Sequence, residues 1–245
     1  MKQEIMTVRS NASIAAGVFD MRLEGDTSAV TAPGQFVNIA VKGCFLRRPI
    51  SVCDAREGEL RIIYKAVGRG TGIMSGMQPG EKLDLLVGLG NGYDMGKSGD
   101  RPLLIAGGVG VPPMYLLAEK LIESGRTVTA ALGFNTESDV FLADELEALG
   151  ARVLVATADG SVGKKGFVTD LLPDLDYTFF YACGPEPMFR AVSKAVKTKG
   201  QYSFEERMGC GFGACMGCSC ETLAGSKRIC RDGPVMESEE IIWEK

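Results

Sequence analysis

The sequence predicts a multi-domain protein in three parts: an antiparallel β-barrel, then an α/β domain on a doubly wound parallel sheet, then a small irregular C-terminal domain. Up to about Leu89, runs with an apolar residue at every second position are separated by glycine-containing turns. From Pro102 onward, strand-like runs alternate with helical patterns. Five of the eight cysteines then lie between Cys210 and Cys230. We place the domains at residues 1–98, 99–202 and 203–245.

Composition restricts the chemistry of this chain. Its 245 residues carry 27 basic and 31 acidic side chains, a net charge of −4, and no histidine. The lack of histidine excludes Ser-His-Asp triads, Cys-His nucleophiles and histidine-ligated zinc. The acidic balance argues against nucleic acid as a partner, because such binding depends on neutralising phosphates.

The apolar stretches of the sequence indicate whether the protein is exported or enters a membrane. Residues 1–6 show no apolar run after a basic start, so we expect no export signal. Residues 102–118 are uncharged, but they contain three prolines and three glycines and fall short of a membrane span of about 20 residues. We therefore expect a cytoplasmic protein that does not enter the membrane. In such a reducing compartment, clustered thiols more often bind metal than form disulfides.

The first domain is predicted from strand periodicity. Apolar residues recur at every second position in residues 35–41 and 60–66, which is the period of a β-strand. Glycine-containing turns at residues 33–34, 57–58 and 79–80 separate such runs at intervals that suit a small antiparallel barrel.

The second domain follows a glycine-rich connection over residues 90–100. Alternating strands and helices are typical of a parallel doubly wound sheet, which binds ligands beyond the carboxyl ends of its strands. The predicted elements, in order, are a strand at 103–106, a helix at 112–123, a strand at 127–132, a helix at 140–149, a strand at 152–156, a short helix at 167–172, a strand at 177–183 and a helix at 186–199.

Two loops of this sheet are candidates for binding a dinucleotide. One follows the first strand and the other follows the fourth, and a 3-2-1-4-5 strand order would make them face each other. The first is not a G-x-G-x-x-G sequence, and glycine loops after strands also occur for packing alone. Residues 134–139 offer no lysine or arginine for a 2′-phosphate, which favours NAD over NADP. The candidate residues are Gly107, Gly108, Gly110, Cys183, Gly184 and Pro185.

Four cysteines, Cys210, Cys215, Cys218 and Cys230, have the spacing C-x4-C-x2-C-x11-C. The first three match the plant-type run for a [2Fe-2S] cluster, and interleaved glycines let the backbone curl around it. A structural zinc site is the alternative, since it uses similar short spacings. Cys220 is a fifth candidate ligand that the spacing does not exclude.

The barrel contains a candidate flavin site. An arginine and a small hydroxyl two strands apart suit a phosphate, although the same residues also suit a solvated barrel edge. A nicotinamide transfers two electrons as a hydride, whereas an iron–sulfur cluster accepts one, and a flavin does both. The candidates are Arg48, Pro49, Ile50 and Ser51, which we place at the end of a strand, then Ile63, Tyr64 and Lys65, and then Gly70 and Thr71.

The order of these motifs resembles the ferredoxin-NADP reductase superfamily. The motifs are R-P-I-S at 48–51, G-G-V-G-V-P-P at 107–113, C-G-P-E-P-M at 183–188, the cysteine run, and C-R-D-G-P-V at 230–235. Within that superfamily, the chain is similar over essentially its whole length to the electron-transfer subunits of NAD-dependent dihydroorotate dehydrogenases.

The resemblance implies FAD on the nine barrel residues and a [2Fe-2S] cluster closed by Cys230 rather than Cys220. It also implies NAD as co-substrate and an FMN-containing catalytic dihydroorotate dehydrogenase subunit as partner, in a heterotetramer of pyrimidine (UMP) biosynthesis. No residue of this chain would then act as acid or base on the substrate. Ile50 departs from the superfamily's R-x-Y-S/T motif, in which the tyrosine lies against the flavin ring.

Two other functions fit parts of the sequence. Similar subunits serve in ferredoxin-NAD(P) transhydrogenase and sulfide dehydrogenase complexes, which would share the cofactors and differ in the partner. A zinc-stapled binding module without redox activity is the second alternative. The partner that co-purifies distinguishes the first, and the absence of visible colour distinguishes the second.

Overall fold

The computed structural model describes residues 1–243 and confirms the predicted succession of barrel, parallel sheet and cysteine-rich segment. Six antiparallel strands close into the barrel in the order β1-β2-β5-β4-β3-β6, and a short helix, α1, follows β5. The elements are β1 (Lys2–Ala15), β2 (Val18–Glu24), β3 (Phe36–Ala40), β4 (Arg48–Arg56), β5 (Glu59–Lys65), α1 (Arg69–Ser75) and β6 (Lys82–Leu89).

The strand β5 is buried on both faces, which the simple alternation of a barrel strand does not predict. Ile62 faces the barrel core, whereas its neighbour Ile63 packs into the core of the second domain. Conversely, Leu116 of the second domain packs into the barrel core. The two domains therefore share an extended apolar interface along β5.

The second domain is a seven-stranded sheet in the order β10-β9-β8-β7-β11-β12-β15. Its parallel strands β7, β8, β9, β11 and β12, counted one to five, have the order 3-2-1-4-5, the order under which the two candidate loops were expected to face each other. The elements are β7 (Pro102–Gly107), α2 (Pro112–Glu123), β8 (Thr129–Phe134), α3 (Ala143–Ala148), β9 (Arg152–Thr157), β10 (Lys164–Lys165), β11 (Phe179–Cys183), α4 (Glu186–Ala195) and β12 (Gly200–Ser203).

Two helices of this domain are shorter than predicted. The helix expected at 186–199 ends at Ala195, because residues 200–203 form β12, a strand that we did not predict. The helix expected at 140–149 is α3, and the short helix expected at 167–172 is a 3-10 turn at Val168–Leu171. The longest described helix, α2, has 12 residues, and no helix in the described part of the chain has the length and apolar character that a bilayer crossing requires.

The cysteine-rich segment is stabilised by docking on both preceding domains. It forms the hairpin β13 (Ser219–Thr222) and β14 (Gly225–Arg228), the short helix α5 (Ile229–Asp232) and the strand β15 (Val235–Glu237). Because β15 pairs antiparallel with β12, it extends the parallel sheet. Met208 and Ile229 of the segment pack against Phe36 and Leu89 of the barrel.

Candidate functional site

A cavity of about 530 Å³ opens between the barrel and the chain that leaves β12. Eight of the nine candidate flavin residues line it, and residues 203–208 form part of the opposite wall. The expectation that residues 48–51 end a strand is wrong, because they begin β4. A strand tolerates proline near its first residue, as at Pro49. The volume lies within the usual range of cofactor pockets, about 300–1,000 Å³.

Gly70, the ninth candidate, shapes this cavity through Arg48. A Cβ at Gly70 would lie 2.1 Å from Arg48 Nε and 2.8 Å from its Cζ, so a side chain there would displace the guanidinium. The next residue, Thr71, accepts hydrogen bonds at its hydroxyl from the N–H groups of Val67 (3.0 Å) and Gly68 (3.2 Å). Arg48 is therefore a positioned cation on the cavity wall, which suits a phosphate group.

A second cavity, of about 590 Å³, lies at the carboxyl ends of the parallel strands. Both glycine loops line it, and they touch each other. A Cβ on Gly110 would lie 2.2 Å from the carbonyl oxygen of Cys183, and one on Gly184 would lie 3.2 Å from the nitrogen of Gly107. The predicted facing of the two loops is present because β7 and β11 are neighbours.

Cys183 is the one candidate nicotinamide residue that does not line this cavity. Its side chain is fully buried, and burial raises the pKa of the thiol well above its ordinary value. The other five candidates, Gly107, Gly108, Gly110, Gly184 and Pro185, all form part of the wall. Cys183 therefore contributes to the site through its backbone, against which Gly110 packs.

The two cavities meet at three residues, Lys65 at the end of β5, Val109 in the first loop and Glu205 after β12. Glu205 is exposed to solvent, and partial desolvation by the surrounding protein raises the pKa of its carboxyl. Hydride exchange requires reacting atoms about 3–3.5 Å apart. Because the two cavities share a wall, two cofactors bound in them could lie close enough for such an exchange.

The four candidate iron ligands form two pairs. The Cys215 N–H donates to the sulfur of Cys210, and the Cys210 N–H donates to the sulfur of Cys215, both at 3.4 Å. The Cys230 N–H donates to the sulfur of Cys218, also at 3.4 Å. Among residues 1–243, no three His, Cys, Asp or Glu side chains are grouped around the position of one metal ion. A [2Fe-2S] cluster has four thiolate ligands for two irons, and two pairs of thiols fit that donor set.

Backbone amides surround the sulfur of Cys210. Burial opposes ionisation of this thiol, but N–H groups of Phe212, Cys215 and Ala214 outweigh burial and lower its pKa to about 6. The Ala214 N–H donates at 3.2 Å. Thiolates are the metal-binding form of cysteine, and hydrogen bonds to the sulfurs tune the potential of a cluster. At Cys230, burial and the neighbouring Cys218 raise the pKa to about 12.

Asn38 of β3 attaches this cysteine loop to the barrel. Its Nδ2 donates to the carbonyl oxygen of Cys210 at 3.1 Å. Gly211, with φ +79°, leaves space for it, since a Cβ there would lie 2.1 Å from Nδ2. Asn38 is fully buried, and its Oδ1 has no hydrogen-bond partner in the described structure. Because Asn38 pairs with Pro49 across β3 and β4, it links the cysteine loop to the wall of the first cavity.

Cys220 lies outside both cysteine pairs. It sits on β13, opposite Lys227 in the hairpin that follows Cys218. Within residues 1–243 its sulfur makes no hydrogen bond to another cysteine, and burial raises its pKa. Cys220 nevertheless packs against the apolar cluster that contains Cys218 and Cys230, so the lack of such a hydrogen bond is what distinguishes it from the four candidate ligands in the described structure.

Many residues that line the two cavities are absent from the candidate residues of the sequence analysis, and three of them are important for the site. Phe167, 72% exposed, and Asn135 line the second cavity, and Glu205 lines both. Asn135 directly follows β8, so its position at the carboxyl end of a strand was a usable signal. Phe167 follows β10, a two-residue strand that the sequence analysis did not predict. Glu205 belongs to no motif that we recognised, and its place depends on where the chain turns after β12.

Two parts of the chain match known family models. Residues 205–242 match the iron-sulfur cluster binding domain of dihydroorotate dehydrogenase B, and residues 104–194 match the oxidoreductase NAD-binding domain. The first match covers the two cysteine pairs. The second covers the two glycine loops and the sheet from β7 to β11, without β12 and β15.

Solved structures share the fold. A chain of the NADH-dependent reduced ferredoxin-NADP oxidoreductase, described for flavin-based electron bifurcation, has a TM-score of 0.88 and 30% identity over 97% of this chain and 90% of that chain. A flavohemoglobin from Malassezia yamatoensis with bound FAD and heme has a TM-score of 0.67 and 22% identity over 80% of this chain and 56% of its own. The second likeness shows the fold alone.

Two bacterial relatives are similar over the whole length. The protein of Geobacillus sp. (strain WCH70) is 43% identical over 256 residues, 99% of both chains, and that of Fusobacterium nucleatum subsp. nucleatum is 40% identical over 98% of this chain and 99% of its own. Both are named dihydroorotate dehydrogenase B (NAD(+)), electron transfer subunit. With this identity over this length, the chain belongs to the family of electron transfer subunits of dihydroorotate dehydrogenase B.

Proposed function

We propose that this chain carries electrons from a dihydroorotate-oxidising partner subunit, through a [2Fe-2S] cluster and FAD, to NAD⁺ in pyrimidine (UMP) biosynthesis. The observation that supports this function best is the junction of two cofactor-sized cavities at Lys65, Val109 and Glu205. Two cysteine pairs lie in the C-terminal segment, and Asn38 of the barrel donates a hydrogen bond to the carbonyl oxygen of Cys210 in that segment. Three redox centres in one chain account for these three features together.

FAD occupies the first cavity in this proposal. Arg48, whose position depends on Gly70, would hold its phosphates. When bound, a flavin accepts electrons one at a time and releases them as a pair. The residues that we assign to FAD are Arg48, Pro49, Ile50, Ser51, Ile63, Tyr64, Lys65, Gly70 and Thr71.

The nicotinamide dinucleotide occupies the second cavity. Asn135 and Asp139, on the segment after β8, line this cavity. That segment contains no lysine or arginine that could bind a 2′-phosphate. Lys164 in β10 donates to the carbonyl oxygen of Asp170 at 2.6 Å. We therefore propose NAD as the co-substrate, bound by Gly107, Gly108, Gly110, Cys183, Gly184 and Pro185.

Cys210, Cys215, Cys218 and Cys230 hold the cluster, and Cys220 is not a ligand. The two hydrogen-bonded pairs support this assignment, because in the described structure Cys220 belongs to neither of them. We further propose functional units at residues 1–98, 99–202 and 203–245. The partner is an FMN-containing catalytic subunit, the assembly is a heterotetramer, and the location is the cytoplasm.

A second function is favoured by one observation. The likeness to a chain of the NADH-dependent reduced ferredoxin-NADP oxidoreductase extends over 97% of this chain, at 30% identity. A subunit of a ferredoxin-NAD(P) transhydrogenase or sulfide dehydrogenase complex would use the same cofactor sites. Identity of 43% with the Geobacillus subunit favours the dihydroorotate function.

Reconstitution distinguishes these functions. The purified chain alone should pass electrons from NADH to a dye and should not oxidise dihydroorotate. Addition of an FMN-containing dihydroorotate dehydrogenase subunit should produce dihydroorotate-dependent reduction of NAD⁺. Formation of orotate by the isolated chain, or failure of the mixture to reduce NAD⁺ while the chain still reduces the dye, would contradict the proposal.

A further inference from the structure

Arg61 is a buried arginine that belongs to none of the proposed cofactor sites. It lies on β5, and its side chain is 5% exposed. Its Nε and Nη2 donate to the carboxylate of Asp20 on β2, within the same barrel, at 2.7 to 3.2 Å. Nη1 and Nη2 also donate to Glu145, at 2.6 and 3.0 Å. Glu145 belongs to α3, so one guanidinium joins the barrel to the sheet domain.

Other contacts cross the same interface beside this group. The guanidinium carbon of Arg61 lies 5.5 Å from the ring centroid of Tyr115 on α2. Arg56 of β4 donates to Glu119, also on α2, at 2.6 Å, but its side chain is 58% exposed. In each pair one side chain is mostly buried and the other is about half-exposed, since Glu119 is 11% exposed and Glu145 is 47% exposed. Solvent therefore screens both pairs in part. Arg61 differs from Arg56 in donating two hydrogen bonds to its carboxylate across the interface, where Arg56 donates one.

In the contact between Arg61 and Glu145, each side chain stabilises the ionised form of the other. Burial opposes the charge on Arg61, but Glu145 and Asp20 outweigh it and raise the pKa of the guanidinium. The hydrogen bond from Arg61 lowers the pKa of Glu145. The carboxylate and the guanidinium are therefore both ionised at neutral pH, and the contact persists as a bidentate ion pair.

The relative orientation of the two domains determines how the two cavities meet. Lys65 belongs to the barrel and Val109 to the sheet domain, and neither Arg61 nor Glu145 lines either cavity. We propose that Arg61 and Glu145 form an interdomain clamp that holds the nicotinamide site against the flavin site in the orientation for hydride transfer. This rests on the proposed function: NADH gives one proton and two electrons to the flavin as a hydride and becomes NAD⁺, and the reverse step makes NADH. Both are positioning residues.

The test is anaerobic stopped-flow reduction of the flavin in the holoprotein by NADH, with Glu145→Ala and Glu145→Gln as variants. Glu145 is 47% exposed, so its loss should not prevent folding, and FAD and iron contents verify this. A misplacement of about 1 Å costs up to about 100-fold in rate. We therefore expect Glu145→Ala to lower the limiting reduction rate between about tenfold and 100-fold. Dissociation constants for NADH and the flavin midpoint potential should stay at wild-type values.

Two further variants show whether the loss of rate comes from the contact with Arg61. Glu145→Gln keeps an oxygen that accepts from Arg61 and should retain more of the rate than Glu145→Ala. Glu147→Ala removes an exposed carboxylate from the same helix and should leave the rate unchanged. A Glu145→Ala rate within twofold of wild type, or an equal loss in Glu147→Ala, would overturn the clamp while NADH still reduces the wild-type flavin. A wild-type flavin that NADH does not reduce would instead refute the proposed function, and the clamp with it.

Discussion

Replacing Gly110 by alanine tests whether the contact between the two glycine loops determines nicotinamide binding. The added Cβ would lie 2.2 Å from the carbonyl oxygen of Cys183 and 2.7 Å from the nitrogen of Gly184. Close carbon–oxygen contacts begin near about 3.3 Å, so one loop must move by about 1 Å. Both obstructing atoms belong to the backbone and cannot rotate away. Overpacking of this kind costs about 1–3 kcal/mol.

Since the moved loop lines the second cavity, we expect the dissociation constant of NAD⁺ to rise roughly fivefold to 150-fold, the equivalent of that energy. Calorimetric titration of the anaerobically purified holoprotein measures it. FAD and iron contents should not change, because Gly110 touches neither the barrel cavity nor the cysteine loop. Gly76→Ala is a suitable control, since its Cβ would meet the carbonyl oxygen of Ile73 at an ordinary 3.6 Å. Wild-type affinity for NAD⁺ in Gly110→Ala would refute the reasoning.

Three further predictions concern the cysteine loop and the choice of nicotinamide. Cys220→Ser should retain the iron content and visible spectrum, whereas Cys230→Ser should lose most of the cluster and keep FAD; the opposite result would show that the ligand assignment is wrong. Asn38→Leu removes the donor to the Cys210 carbonyl at the cost of about 1 kcal/mol, so a chelator should extract iron about fivefold faster, with flavin retained. Equal extraction rates would dismiss this role of Asn38. Reduction of an artificial acceptor should favour NADH over NADPH by more than about tenfold, which is about 1.4 kcal/mol; equal rates would mean that a cation such as Lys165 reaches the 2′-phosphate.

Features that depend on repeating patterns were predictable. Alternation of strands and helices predicted a doubly wound parallel sheet, and the order 3-2-1-4-5 considered for such a sheet places β7 beside β11 and makes the loops at Gly110 and Cys183 face each other. The apolar period of two predicted the barrel. In both cases, one face of each element must be buried, and the period of its apolar residues reveals that face.

Features that depend on distant contacts were not predictable from local patterns. The strand β15 is three residues long and lies in a glycine- and cysteine-rich segment, and it pairs with β12 only because the chain returns to the sheet edge. The junction residue Glu205 belongs to the connection between β12 and the cysteine loop, which has no period. Arg61 interrupts the apolar residues of β5. Its role in joining the two domains can be recognised only from its contact with Glu145 of the other domain.

Counting the electrons that NADH delivers to the anaerobically purified chain tests the central claim most directly. A protein with one FAD and one [2Fe-2S] cluster should show both visible chromophores and accept three electrons in total, two on the flavin and one on the cluster. Iron analysis should give two atoms per chain, with FAD identified by mass. A colourless protein, zinc in place of iron, or a flavin that accepts two electrons beside an iron-free cysteine loop would contradict the account.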